Sequence, residues 1–193
     1  MNESPIPTTL IQAALWRRLD EQSLEHGRLL ELPDGYLLDG RVLTVVDGRP
    51  AEAHYAVLCD RDWSTLSAHA QLVQGTSVRR VQLRRDQQDQ WWRDEERLPS
   101  LDGIRDVDLA ITPATNTLPI RRLALAIGES QSTDAAWVQF PSLAVERLPQ
   151  RYTREAELLY RYESRGGAFT AELQVDEHGV VVRYGSIWER VEP

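Results

Sequence analysis

The chain contains no lysine, so all 22 of its basic side chains are arginines. That absence excludes a Schiff-base lysine for pyridoxal phosphate, the lysine of a phosphate-binding P-loop, the kinase lysine and a Ser-x-x-Lys acylation pair. Cysteine is nearly absent too. Cys59 stands alone, which rules out an internal disulfide, and its place in the strand-like run Tyr55–Cys59 suits a small buried hydrophobe. No apolar run approaches the ~20 residues that span a bilayer, and Met1 to Thr9 lacks the basic start and apolar core of a secretory signal. A soluble, cytoplasmic protein without stable membrane insertion is the expectation. The net charge of −8 repels nucleic-acid phosphates and anionic membranes at long range, so neither is an expected partner.

What is present is strand alternation between turn residues. A hydrophobic fraction of 41% and a charged fraction of 27% are ordinary globular proportions, and residues 1–193 read as one β-rich domain with a single core. Leu29 to Leu32 leads into the turn Pro33-Asp34-Gly35, and Tyr36 to Leu38 returns. Strands follow at Arg41 to Val46, at Tyr55 to Asp60 and at Ser77 to Arg84, where the arginines break the two-residue period in the manner of a bulge. After a polar stretch containing Trp91-Trp92, Val107, Leu109 and Ile111 share one strand face, and Asp106, Asp108 and Ala110 the other. Thr112 to Pro119 reads as a loop, Arg121 to Ile127 as a strand, and Leu143 and Val145 mark another. Phe169 to Val175, a turn at Asp176 to Gly179, and Val180 to Tyr184 form a hairpin. Residues 8–20 are ambiguous, because Leu10, Ile11, Ala14 and Leu15 have helical spacing while Leu15 to Leu19 suits a strand.

Catalytic and metal-binding signatures are scarce. His26, His54, His69 and His178 are widely separated and have no partners at metal-ligand spacing, so no metal site and no cofactor are expected. Asp60-x-Asp62-x-Ser64 resembles the start of a calcium loop, but Thr65 stands where that loop needs glycine. Ser130 and Ser186 lack a nucleophile elbow, and Gly27 lacks the spacing of a dinucleotide fingerprint. The one pair with catalytic potential is Asp106 and Asp108, which could divide acid and base roles in a hydrolase acting on a lipid or sugar conjugate. A solvated or salt-bridged face is the commoner fate of such alternating carboxylates. The six tryptophans and six tyrosines suit the wall of a cavity with an apolar body and polar edges, or a closed core.

The run Asp106-Val-Asp-Leu-Ala-Ile-Thr-Pro-Ala-Thr-Asn-Thr-Leu-Pro-Ile-Arg-Arg-Leu123 resembles the glycolipid-binding family of bacterial proteins. So do His54 to Trp63, Phe140 to Val145, Gln150 to Tyr152 and the closing hairpin. The resemblance implies an antiparallel sheet curled into an incomplete barrel, similar to lipoprotein carriers, with an apolar interior for a lipid or glycolipid. It implies a binder and not an enzyme. A groove or cavity of roughly 300–1,000 Å³ is expected, with Arg121, Asn116, Thr117, Trp63 and Tyr152 as candidate ligand contacts. If residues 105–111 and 120–127 pair as antiparallel strands, Arg122 reaches Asp108 in a structural ion pair and Arg121 is left for a polar headgroup. A closed-core interaction protein is the third reading.

Overall fold

Hairpin turns cut the chain into short antiparallel strands, and the computed structural model, which describes residues 7–191, shows where each one falls. The first eight are β1 (Thr9–Arg18), β2 (Ser23–Leu32), β3 (Gly35–Val46), β4 (Arg49–Cys59), β5 (Thr65–Gln74), β6 (Ser77–Arg85), β7 (Trp91–Arg93) and β8 (Glu96–Arg97). After β9 (Asp106–Leu109) comes the one α-helix, α1 (Thr117–Leu123). The chain then forms β10 (Ser130–Val138), β11 (Val145–Ala156), β12 (Leu159–Ser164), β13 (Phe169–Val175), β14 (Val181–Tyr184) and β15 (Trp188–Arg190). All fifteen strands belong to one sheet, ordered β8-β7-β6-β5-β4-β3-β2-β1-β15-β14-β13-β12-β11-β10-β9. Two meanders therefore meet where the first strand pairs with the last, Trp16 opposite Arg190.

The sheet curls but does not close. Its β9 edge arrives at the start of β5, where the Thr65 amide donates to the Arg105 carbonyl (2.8 Å) and the Thr65 hydroxyl accepts from the Val107 amide (3.2 Å). Two hydrogen bonds stand in place of a ladder, so the expected incomplete barrel is the observed architecture. Every pairing is antiparallel except that of β9 with β10, which run parallel from Asp106 opposite Ala135 to Leu109 opposite Val138. A parallel pair needs a crossover connection, and here the crossover runs through the interior. Every residue from Ile111 to Pro119, and Ile120 after them, is buried.

This crossover corrects the reading of Arg121 to Ile127 as a strand. A 3₁₀ turn at Ala114–Asn116 leads into α1, and Ala124 ends the helix in the left-handed conformation at φ 45°. The segment 105–111 thus pairs with β10 and not with residues 120–127. Strands β5, β7, β8, β10, β12 and β15 are additions to the sequence reading, and residues 9–18 of the ambiguous segment 8–20 form a strand. The arginines of β6 cause no bulge: its register with β5 is unbroken from Ser67–Arg84 to Gln74–Ser77. Register shifts fall elsewhere, at Leu10/Gln12, Leu58/Cys59, Arg154/Ala156 and Gln174/Val175. The hairpins at residues 29–38 and 169–184 form as read.

Alternation fixes which side chains face inward. On β2 to β6 the inward set includes Leu29, Leu38, Val42, Tyr55, Val57, Ala68, Ala70, Leu72, Val81 and Leu83, all buried. Tyr55 in this set and Trp16 of β1 require glycine beneath their rings. Gly27 and Gly40 are cross-strand partners, and a Cβ on Gly40 would lie 2.5 Å from the Tyr55 ring, one on Gly27 2.5 Å from the Trp16 ring. Trp16 also donates from Nε1 to the Val181 carbonyl at 2.7 Å, tying the first strand to the closing hairpin. Cys59 is buried, as expected, and burial pushes its thiol well above the ordinary thiol range.

Candidate functional site

The inward face of the second meander is built from tyrosines where the first uses valine, leucine and alanine. Tyr152 of β11 stands opposite Tyr162 of β12, and Tyr184 of β14 stands opposite Leu173 of β13. The rings of Tyr162, Tyr184 and Phe169 pack edge to face with one another at centroid separations of 5.9 to 6.2 Å, and Tyr152 tilts against Tyr162 at 5.2 Å. Between this aromatic face and the buried crossover lies a cleft of about 260 Å³. Trp137 and Trp188 flank it, Thr112 and Asn116 border it from the crossover, and Arg18 and Arg165 stand at its rim. Each rim arginine lies over a tryptophan, Arg18 at 5.7 Å from the Trp188 ring and Arg165 at 5.0 Å from that of Trp137. The volume is slightly below the expected range.

Asp108 is the carboxylate of this cleft. Gln150 donates from Nε2 to Asp108 Oδ2 (2.6 Å) and also reaches the Tyr162 hydroxyl (3.0 Å). Burial is the main cause that raises the Asp108 pKa to about 6; the Gln150 hydrogen bond opposes it, and neighbouring Asp106 adds to it. Burial also pushes the hydroxyls of Tyr162 and Tyr184 up, so both remain neutral donors.

The expected ion pair between Asp108 and Arg122 is not formed, because residues 120–123 are helical and project Arg122 toward the other aspartate. Arg122 instead grips Asp106 with two hydrogen bonds, Nε to Oδ1 at 2.9 Å and Nη2 to Oδ2 at 2.5 Å, and reaches the Thr133 hydroxyl at 2.9 Å. Asp106 is wholly buried. This pair clamps the crossover helix to the parallel strand, and it leaves Asp108 as the one member of the aspartate pair that lines the cleft.

The sequence-derived contacts divide. Asn116 borders the cleft, but both ends of its amide are engaged: Nδ2 donates to the Pro113 carbonyl and Oδ1 accepts from the Tyr152 hydroxyl, each at 3.0 Å. Tyr152 therefore lies behind the cleft, as support for the crossover. Thr117 is fully buried, and its hydroxyl has no partner among the described residues. Arg121 and Trp63 lie outside the cleft and touch each other, with the guanidinium 5.1 Å from the ring. Trp63 stacks on Tyr36 at 3.8 Å, and Arg61 covers the far face of Tyr36 at 5.7 Å. The Arg121 stem also packs over Gly179. The resulting stack joins the β4–β5 turn to the closing hairpin.

Sequence reasoning did not single out Gln150, Tyr162, Tyr184, Arg18 or Arg165. Alternation alone could have placed Gln150, Tyr152, Tyr160 and Tyr162 on one inward face. Nothing local marks the two rim arginines, which come from the end of β1 and from the 3₁₀ turn at Arg165–Gly167. Sequence separation also hid the histidines: His26, His54 and His69 gather around one pit on the outward face of β2 to β5. No group of residues able to hold a metal ion occurs among the described residues, and no helix there is long and apolar enough to cross a membrane.

Comparison with known proteins places this architecture. A family model described as "Putative glycolipid-binding" matches residues 13–190. The crystal structure of a DUF1089 family protein from Pseudomonas aeruginosa is similar with a TM-score of 0.79 and 34% identity, covering 88% of this chain and 92% of that one. No curated protein matches the chain.

Proposed function

The chain belongs to the family described as "Putative glycolipid-binding", and on that premise we propose that its inner cleft receives the polar head of a glycolipid-type ligand. The observation that carries this reading is the composition of the cleft: two tryptophans, two tyrosines and a phenylalanine surround one half-buried carboxyl. A sugar ring has an apolar C–H face and a hydroxylated edge. Trp137 and Trp188 offer surfaces for the face; Asp108 and the rim arginines Arg18 and Arg165 offer acceptors and donors for the edge. A cleft of about 260 Å³ is headgroup-sized, below the range of roughly 300–1,000 Å³ usual for whole small ligands, so we place acyl chains outside it. We read the protein as a binder and not an enzyme, since Asp106 is committed to Arg122 and Asp108 has no second cleft carboxylate with which to divide acid and base roles. The absence of a long apolar helix among the described residues is compatible with action in the cytoplasm.

Mass spectrometry of an organic extract of the purified protein is the direct test, with tryptophan fluorescence during glycolipid titration as the second readout. We expect a co-purified or titratable glycosylated lipid, and about tenfold weaker retention in Trp137→Ala, the loss of one stacking surface. Unchanged retention in that variant, or no binding of glycosylated lipid at all, overturns the reading.

A further inference from the structure

A second concavity lies on the opposite side of the sheet from the cleft, over β2 to β5, with a volume of about 440 Å³. Strand register explains both its shape and its chemistry. One cross-strand row reads His26, Arg41, His54, Gln71; the next reads Arg28, Asp39, Ala56, His69. Ala56 contributes only a methyl group among long polar neighbours, so it forms the floor of a pit whose walls are imidazoles, an amide and guanidiniums. Three of the chain's four histidines face this one depression.

Charge in the pit is balanced before the imidazoles are counted. Arg28 holds Asp39 with two hydrogen bonds (2.9 and 2.6 Å), and Arg41 pairs with Glu52 (3.3 Å), which also contacts His54. Arg80 of β6 is turned to the Gln71 amide oxygen at 2.9 Å, leaving the Gln71 amide nitrogen as a donor. The imidazoles of His26 and His69 have no hydrogen-bond partner among the described residues. Neutral imidazoles leave the pit without net charge, whereas protonated ones add up to three positive charges and their N–H donors at a site whose carboxylates are already paired.

We propose that this pit is a second binding site, separate from the cleft, for a small oxyanion of the phosphate class. The metal reading of a three-histidine cluster is closed, because the described residues contain no group with metal-holding geometry. A phosphate group offers acceptors on every side, matching walls that present donors from three strands. Such chemistry could reach the site as a soluble phosphate or as a phosphorylated lipid headgroup. The site rests on the outward face alone, so it stands or falls independently of the glycolipid reading.

The test is an NMR titration of the intact protein with inorganic phosphate, following the histidine ring resonances. Saturable shifts confined to His26, His54 and His69 are expected. Ala56→Leu fills the floor without changing charge and should abolish the saturable response; His69→Gln should weaken it by at least about tenfold. Circular dichroism and urea midpoints of each variant confirm that the sheet is intact. A parallel arm uses vesicles containing phosphatidic acid. Co-sedimentation supports a lipid source, and phosphate binding without co-sedimentation supports a soluble one. The proposal is overturned if no saturable shift occurs, if His178 responds equally, or if folded Ala56→Leu binds phosphate as the parent does.

Discussion

Each meander of the sheet turns inward one carboxyl that has no cation against it among the described residues, fully buried in the first and half-buried in the second, and the two are handled differently. In the first, Glu25 lies fully buried and accepts at Oε1 from the Tyr55 hydroxyl (2.5 Å) and the Thr112 hydroxyl (2.6 Å), while Oε2 has no partner. Burial drives its pKa up to about 8, against the two hydrogen bonds that pull it down. In the second, Asp108 borders a cleft, keeps an amide partner in Gln150 and rises only to about 6. Small inward residues such as Ala53, Ala68 and Ala70 let the crossover pack into the first meander and leave Glu25 no opening. The tyrosines of the second hold the crossover off by their own bulk and hydroxyls, and a cleft remains. One curled sheet thus contains a sealed side that fastens the crossover and an open side suited to recognition.

The strongest way to break this division is to release the crossover. Arg122→Met leaves Asp106 buried without its partner, a loss of about 3–5 kcal/mol, and urea denaturation should show it together with a loss of cleft fluorescence response. Stability that stays within error would mean that the crossover is held by packing alone. A second test works on the sealed side through pH. The folded pKa of Glu25 is raised above its unfolded value, so its contribution is fully present below about pH 4.5 and is lost as pH rises through about 8. Wild-type stability should therefore decline across that window, by a few kcal/mol at most (roughly), and Glu25→Gln should flatten the decline. An equally steep decline in the variant would assign the effect to other groups. The mildest test concerns Arg121. Arg121→Gln removes a partly exposed contact with Trp63 and should cost less than about 1 kcal/mol while leaving ligand retention in the cleft unchanged. Reduced retention in that variant would return Arg121 to the binding role that its sequence position suggested.

That suggestion shows where sequence reading succeeds and fails here. Hairpins such as Pro33-Asp34-Gly35 and Asp176 to Gly179 are local, and their turn chemistry states them outright. The helix at Thr117–Leu123 is not local in the same sense. Leu123, Leu125 and Ile127 alternate as a strand would, but the demand for a crossover arises from the parallel pairing of β9 and β10, which no residue in 117–123 announces. Strand β5 was hidden because its inward positions include Ala68 and Ala70 and its outward ones His69 and Gln71, giving little hydrophobic contrast. The ion pair was read onto the wrong aspartate: helical geometry gives Arg122 to Asp106, and Asp108 lines the cleft. The histidine pit is a property of register, assembled across the consecutive hairpins from β2 to β5, and no ligand-spacing rule marks it.

The pairing of β1 with β15 has a consequence for how the molecule is made. Because the first strand finds its second neighbour only in the last one, β1 keeps an unpaired edge throughout synthesis until Trp188 to Arg190 have emerged. Unpaired strand edges are templates for association with other chains. The nascent first meander, already able to form its hairpins, thus carries a sticky border at the position that later becomes the middle of the sheet, and a ribosome stalled before the final strand would release an aggregation-prone chain.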